Sequence, residues 1–122
     1  MNKKIKAFIP TVKREAAKQF YQEIMGLKLL SEDPYGIEFD SDGTTLRITP
    51  VQSFTPHPFT VLGWDVKDII AGVKSLEAKG VKLEIYGFLE QDASGIWTAP
   101  GGTKVAWFKD PDGNLLSLSE LA

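Results

Sequence analysis

Apolar and polar positions follow the same order in the two halves of this chain. Residues 5–12 and 59–66 are rich in branched and aromatic side chains, which is typical of strands. Residues 14–25 and 68–79 then show apolar side chains at helical spacing. These side chains are Ala17, Phe20, Tyr21 and Ile24 in the first segment and Ile69, Val73 and Leu76 in the second. The pattern predicts a strand followed by a helix in each half.

Glycines mark where the predicted elements end. Gly26 and Gly80 follow the two helical segments, at the position where glycine ends a helix in the left-handed conformation. Asp42-Gly43 and Asp112-Gly113 are typical of turns between antiparallel strands. We therefore predict six further strands, at residues 27–32, 35–40, 44–49, 81–86, 103–109 and 115–119.

The halves also resemble each other in sequence, because Gly26-Leu27-Lys28-Leu29 recurs as Gly80-Val81-Lys82-Leu83. The predicted fold is therefore α+β, with two βαβββ modules that form a cupped, mixed, mostly antiparallel sheet with helices on its outer face. We predict one domain over 1–122, made of module one (1–50), a proline-rich linker (51–58) and module two (59–122). The segment 87–102 is long enough to be a binding loop or a lid.

The composition excludes several kinds of chemistry. The 122 residues contain no cysteine and one histidine, His57, which excludes disulfides, thiolate metal sites and a cysteine nucleophile. The net charge is −2, and the basic residues near the start form no stripe with aromatic residues, so we expect no nucleic-acid partner. No apolar stretch approaches the ~20 residues of a membrane span, and no signal peptide is recognisable. We expect a cytoplasmic protein with no membrane partner.

Three segments resemble the vicinal oxygen chelate superfamily, which includes glyoxalase I, bleomycin-resistance proteins and extradiol dioxygenases. They are Phe20-Tyr21 with Met25-Gly26-Leu27, then Leu62-Gly63-Trp64-Asp65-Val66, and Val105-Ala106-Trp107-Phe108-Lys109-Asp110-Pro111-Asp112-Gly113-Asn114. Their order and the duplicated layout extend the resemblance over nearly the whole chain. The resemblance implies paired modules around a shared cleft, a small-molecule ligand and a homodimer.

Family enzymes carry metal ligands at four symmetric positions. The resemblance places these positions at Ala7 (or Lys6), Arg47, Val61 and Ser117. None of these side chains is a carboxylate or an imidazole, and the arginine puts a fixed positive charge where a cation would bind. We therefore expect the family metal site to be absent, with no other cofactor.

Because side chains alternate along a strand, Arg47 lies on the face opposite to its leucine and isoleucine neighbours. That face is mixed and polar, and Ser117 lies on a face of the same kind. We expect these faces to line the cleft, where the guanidinium would suit a carboxylate or phosphate of the ligand. The alternative is a surface arginine that is exposed or paired with a glutamate.

Aromatic residues supply the other candidate contacts. Tyr86, Trp97 and Trp107 combine flat apolar area with one polar group, which suits stacking on a planar ligand, although core packing is the alternative. The predicted ligand-binding residues are Arg47, Tyr86, Trp97, Trp107 and Ser117. The sequence identifies no catalytic residue.

Three functions remain open. The favoured one is a metal-free protein that binds an aromatic or anionic compound, similar to bleomycin-resistance proteins, although cationic bleomycin itself matches poorly with Arg47. The second is a metal-dependent lyase or dioxygenase of the glyoxalase type, which would need ligands such as His57 and Glu38. The third is a metal-free enzyme of the same fold, with a carboxylate base and Arg47 as electrostatic anchor. The sequence leaves open the ligand, and whether turnover occurs.

Overall fold

Each half of the chain forms its own four-stranded sheet. The computed structural model describes residues 1–122, which divide into a first unit, Met1–Thr55, and a second unit, Pro56–Ala122. Both sheets are mixed, because each contains one parallel pair of strands among antiparallel pairs. The predicted α+β class with duplicated, mostly antiparallel strands is confirmed.

The first unit follows the predicted βαβββ order. Its elements are β1 (Lys6–Thr11), α1 (Arg14–Gln19), β2 (Lys28–Asp33), β3 (Gly36–Ser41) and β4 (Thr44–Pro50). The strand order is β1-β4-β3-β2, with β1 parallel to β4. Asp42 and Gly43 both have positive φ, 48° and 92°, so β3 and β4 are joined by the tight two-residue turn that Asp-Gly predicts.

The predicted helix at 14–25 is confirmed with wider turns in its second half. After α1 the chain continues as a π-helix over Phe20–Ile24, in which the N–H of Met25 donates to the Phe20 carbonyl at 3.0 Å. Phe20 and Tyr21 are buried with their rings edge to face, 5.0 Å apart. The Tyr21 ring also lies 6.4 Å from that of Phe39 on β3, so this helical face covers one side of the sheet.

The second unit contains β5 (Leu62–Asp65), α2 (Ile69–Ala78), β6 (Trp97–Thr98), β7 (Lys104–Lys109) and β8 (Leu115–Glu120). The strand order is β5-β8-β7-β6, with β5 parallel to β8. The Asp68 carboxylate caps α2 by accepting the N–H of Ala71 at 3.1 Å. At the other end Gly80 has the left-handed φ of 85° that the sequence predicts. Neither helix has the length and apolar character that crossing a membrane requires.

The predicted strand at 81–86 is wrong. Within it only Leu83 pairs, in an isolated bridge to Phe108 on β7. The side chain of Gln91 accepts a hydrogen bond from the N–H of Tyr86 at 2.7 Å and donates one to the carbonyl of Glu84 at 2.9 Å. These two backbone groups therefore bond to a side chain and not to a neighbouring strand. The short strand β6, inside the predicted loop 87–102, pairs with the remaining edge of β7.

Side chains alternate across both sheets as the sequence predicts. Leu46 and Ile48 on β4, and Leu116 and Leu118 on β8, are buried. Helix α2 packs on β7 and β8. A side chain added at Gly72 of this helix would meet Leu118, so Leu118 and Leu116, two residues before it, lie on the helix side of the sheet. The predicted binding residues of β4 and β8 therefore lie on the opposite faces.

Candidate functional site

Cross-strand register brings the predicted aromatic residues onto one face of the second unit's sheet. Trp107 on β7 is opposite Ser117 on β8, which in turn is opposite Gly63 on β5. Trp97 on β6 is opposite Val105, two residues before Trp107. Residues that are opposite each other, or two apart on a strand, point to the same face. Trp97, Trp107 and Ser117 therefore share the face that lies away from α2.

Four aromatic rings on this face lie close together, and we call Tyr86, Phe88, Trp97 and Trp107 the aromatic surface. The ring centroids of Trp97 and Trp107 are 6.0 Å apart, with planes tilted by 33°. Tyr86 stands edge-on to Trp107 at 5.5 Å and lies 5.7 Å from Phe88. Phe88 is 83% exposed, and the other three are half-buried. The surface thus offers flat apolar area to a planar ligand.

The amide of Gln91 holds the segment that carries two of these rings. Besides its bonds to Tyr86 and Glu84, Nε2 donates to the carbonyl of Gly95 at 2.8 Å. Gln91 also pairs with Trp97 in an isolated bridge. The side chain of Gln91 therefore links Tyr86 and Glu84 to Gly95, and the backbone of Gln91 pairs with that of Trp97.

The polar groups of the aromatic surface differ in their partners. Trp107 Nε1–H donates to Thr60 Oγ1 at 3.2 Å. Trp97 Nε1–H and the Tyr86 hydroxyl make no hydrogen bond within the chain. Burial, and secondarily the negative charge of Glu84, raises the pKa of Tyr86, so its hydroxyl stays protonated at neutral pH. Two neutral donors are thus left for a ligand.

Ser117 lies closely against the neighbouring strand. Its side chain is buried, and a Cβ at Gly63 would lie 2.6 Å from Ser117 Oγ. Val61, which immediately precedes β5, donates its N–H to the Leu115 carbonyl at 3.0 Å and is 38% exposed. Glycine at position 63 therefore makes room for the Ser117 hydroxyl.

In the first unit Arg47 belongs to an ion cluster with Lys6 and Glu38. Arg47 Nη1 and Lys6 Nζ both donate to the same oxygen of Glu38, Oε2, at 3.0 and 2.9 Å. The guanidinium lies over Gly36, where a Cβ would be 2.7 Å from Arg47 Cζ. The hydrogen bonds from Lys6 and then Arg47 lower the pKa of Glu38, so the cluster of two cations and one carboxylate is ionised at neutral pH. Arg47 is thus the glutamate-paired arginine that the sequence left as an alternative.

The face of β1 decides between the two positions considered for the early family ligand. Ala7 is opposite Leu46 and so lies on the buried side of the sheet. Phe8 is opposite Arg47, and Lys6, two residues before it, shares that face and reaches Glu38. Lys6 rather than Ala7 is therefore the residue on the Arg47 side.

Two units of the same βαβββ type, one with a charged face and the other with an aromatic face, define a small duplicated α+β protein. The sequence model of the Glyoxalase/Bleomycin resistance protein/Dioxygenase superfamily matches residues 7–118, and the chain belongs to that superfamily.

Solved structures share this fold. TnmS3, an antibiotic binding protein from Streptomyces sp. CB03234, is 25% identical with a TM-score of 0.77, covering 100% of this chain and 98% of that one. A superfamily member from Sphaerobacter thermophilus is 23% identical with a TM-score of 0.77, covering 98% of each chain. Lactoylglutathione lyase from Agrobacterium tumefaciens is 17% identical with a TM-score of 0.72, covering 98% of this chain and 95% of that one. Among curated proteins no match was found.

The side chains at the family's ligand positions do not fit a metal ion. Arg47, Val61 and Ser117 offer no carboxylate or imidazole, and on β1 neither alanine nor lysine does. No group of three or more His, Cys, Asp or Glu side chains that could hold an ion occurs in the chain. His57 instead stacks on Phe59, with centroids 4.8 Å apart. We assign no chemical step to a metal.

Sequence reasoning missed Gln91 and Thr60, and it did not assign Glu38 as the partner of Arg47. The pairing of Glu38 with Arg47 could have been found, because a two-residue turn at Asp42-Gly43 fixes the register of the hairpin and sets these residues opposite each other. Gln91 and Thr60 carry no comparable local signal. Their roles depend on how the loop 87–102 and the segment before β5 fold back on β7.

Proposed function

We propose that this protein binds a planar aromatic small molecule on the aromatic surface, and that it does so without a bound metal ion. The observation that carries the proposal is the group of half-exposed rings around Trp107, with neighbouring centroids at 5.5 and 6.0 Å. Rings in such offset or edge-on arrangements contribute about 0.5–1.5 kcal/mol per contact beyond the area they bury. A ligand ring that contacts two or three of them gains binding energy and a defined orientation.

Two observations favour binding over turnover. The carboxylate closest in sequence to Tyr86, that of Glu84, is ion-paired with Lys109 at 3.4 Å. TnmS3, which resembles this chain over its full length, is described as an antibiotic binding protein. Sequestration of an aromatic compound agrees with both.

A separate proposal concerns the first unit alone: its ion cluster binds an anionic group, and Arg47 is the expected partner of that group. Only Nη1 of Arg47 donates to Glu38, so the remaining guanidinium donors are available, and the cluster keeps one net positive charge. The test compares 2-naphthoate with the neutral 2-naphthamide. Arg47→Met should weaken binding of the carboxylate more than binding of the amide, and equal effects would remove Arg47 from the ligand site.

Equilibrium dialysis with 9-fluorenone tests the aromatic part. Trp107→Ala should weaken binding about tenfold or more, because it removes the ring that contacts both Trp97 and Tyr86. Trp64→Phe is the matched control, since Trp64 is opposite Leu118 and lies on the helix side of the same sheet. Circular dichroism confirms that both variants are folded. Equal effects of the two substitutions would place the ligand elsewhere.

Elemental analysis of the purified protein tests the metal-free part. We expect zinc, nickel and iron well below one equivalent per chain, because the side chains at the family's ligand positions include no carboxylate or imidazole and no other cluster of such ligands occurs. A stoichiometric metal that survives dialysis would overturn this part and favour a lyase or dioxygenase.

We also propose a homodimer. Ile5, Phe8 and Val12, in and beside β1, are 72%, 61% and 48% exposed, and a symmetric interface commonly covers apolar side chains of this kind. Light scattering after size-exclusion chromatography should give twice the mass of 13.5 kDa. A monomer at micromolar concentration would reject this proposal.

A further inference from the structure

The two tryptophans of the aromatic surface differ in the state of their indole N–H. Trp107 Nε1–H is already bonded to Thr60 Oγ1 at 3.2 Å. Trp97 Nε1–H has no acceptor in the chain, although the residue is partly buried. A partly desolvated N–H usually has a partner, because leaving it without one costs free energy. A ligand that stacks on Trp97 and removes water from it must therefore supply an acceptor.

The Tyr86 hydroxyl is a second donor of the same kind. Its ring is half-buried against Trp107, and its oxygen makes no hydrogen bond within the chain. Since the phenol is protonated at neutral pH, it can donate as well as accept. Of the two lysines of β7, Lys104 lies on the other face of the strand, and Lys109, which shares the face of Trp107, is paired with Glu84. The unused polar groups of the aromatic surface are therefore uncharged donors.

We infer that the aromatic surface takes a planar aromatic compound that carries an uncharged acceptor oxygen, such as a ring carbonyl, and that Trp97 Nε1–H and the Tyr86 hydroxyl donate to it. This inference rests on the proposed aromatic function and adds the chemical class of the ligand. Trp107 contributes ring area only, because its N–H is taken.

The experiment compares 9-fluorenone with fluorene, which has nearly the same planar shape but lacks the carbonyl. Equilibrium dialysis gives the affinity of each compound for the wild type, Trp97→Phe, Trp107→Phe and Tyr86→Phe. We expect the wild type to prefer fluorenone by about 3- to 10-fold, the range for one or two neutral hydrogen bonds. Trp97→Phe and Tyr86→Phe should each reduce that preference.

Trp107→Phe is the matched control for Trp97→Phe. Both substitutions remove the same ring area, but only the one at position 97 removes an unused donor. Trp107→Phe should therefore weaken both compounds equally and keep their ratio. In ¹⁵N-labelled protein, the indole resonance of Trp97 should move downfield with fluorenone more than with fluorene.

The outcomes separate this inference from the proposed function. If both compounds bind equally well, and each tryptophan substitution weakens both by the same factor, the aromatic function stands and the acceptor class is wrong. If neither compound binds, both are rejected. A preference for fluorenone that survives Trp97→Phe and Tyr86→Phe together would also overturn the assignment of the donors.

Discussion

The first and second units have the same strand order, but the faces that lie away from their helices carry opposite chemistry. In the first unit this face holds Lys6, Glu38 and Arg47 in one ion cluster. In the second it holds Trp107 and Ser117, together with the other rings of the aromatic surface. The buried sides of the sheets are alike, since both are apolar. Packing therefore constrains one face of each sheet, whereas the other face can acquire different functions.

A glycine accommodates a neighbour's side chain in both units, but the two neighbours differ in freedom. Gly36 lies under the end of Arg47, which is flexible and partly exposed. Gly63 lies against Ser117 Oγ, which is buried and attached directly to Cβ. Substitution of these two glycines should show how far the neighbouring side chain on each face can move to make room for a new methyl group.

Gly63→Ala should have the largest effect, a loss of about 1–3 kcal/mol in the free energy of unfolding, as is usual for overpacking. The new Cβ would lie 2.6 Å from Ser117 Oγ, and the short buried side chain cannot move far. Gly36→Ala is the matched variant and should cost less, because Arg47 can swing away. Urea denaturation measures both.

The double variant Gly63→Ala/Ser117→Ala should recover most of the loss, since the next nearest atom, the Ser117 carbonyl oxygen, is 3.4 Å away. If Ser117→Ala gives no recovery, or if Gly36→Ala costs as much as Gly63→Ala, the difference between the faces is not one of steric freedom.

The fold could be predicted from the sequence because its signals are local and repeated. Helical spacing, the Asp-Gly turn of the first unit and the glycine after each helix all describe short segments whose structure matches the prediction. The segment 81–86 has the composition of a strand and pairs with β7 only at Leu83, because the N–H of Tyr86 and the carbonyl of Glu84 bond to the side chain of Gln91 instead. Hydrogen bonds that a side chain makes to a neighbouring segment leave no periodic pattern in the sequence.

The candidate site could be predicted only in part. The sequence singled out Tyr86, Trp97 and Trp107 by residue type, and the structure places them together. It could not show that Trp107 has used its N–H while Trp97 has not, since that depends on Thr60, 47 residues earlier. For β1 the family resemblance left Ala7 and Lys6 open, and no turn sets the register of the parallel pair that separates them.

The helices offer a second comparison, in which the expected effect is smaller. The second unit's helix is capped by the Asp68 side chain, whereas Lys13 at the start of α1 makes no side-chain cap. Asp68→Ala should lower the free energy of unfolding by about 1 kcal/mol. Lys13→Ala, the matched variant, should change it by a few tenths at most. Similar losses in a thermal or urea melt would show that capping does not distinguish the two helices.

The smallest effect concerns the pH dependence of the charged face. The hydrogen bonds from Lys6 and Arg47 lower the pKa of Glu38 in the folded chain below the ordinary value of 4.5. The stabilisation is therefore complete above about pH 4.5 and is lost as the pH falls through the lowered pKa, because the unfolded chain takes up the proton first. Glu38→Gln resembles the protonated state at every pH.

This variant should be less stable than the wild type at neutral pH by about 0.2–1 kcal/mol, the usual range for partly exposed ion pairs. The two stabilities should converge as the pH falls below 4.5. Urea denaturation at a series of pH values measures the difference, with Glu90→Gln as control, because Glu90 forms no ion pair. A constant difference across the acid range would mean that Glu38 contributes through packing and that the charge of the cluster does not stabilise the first unit.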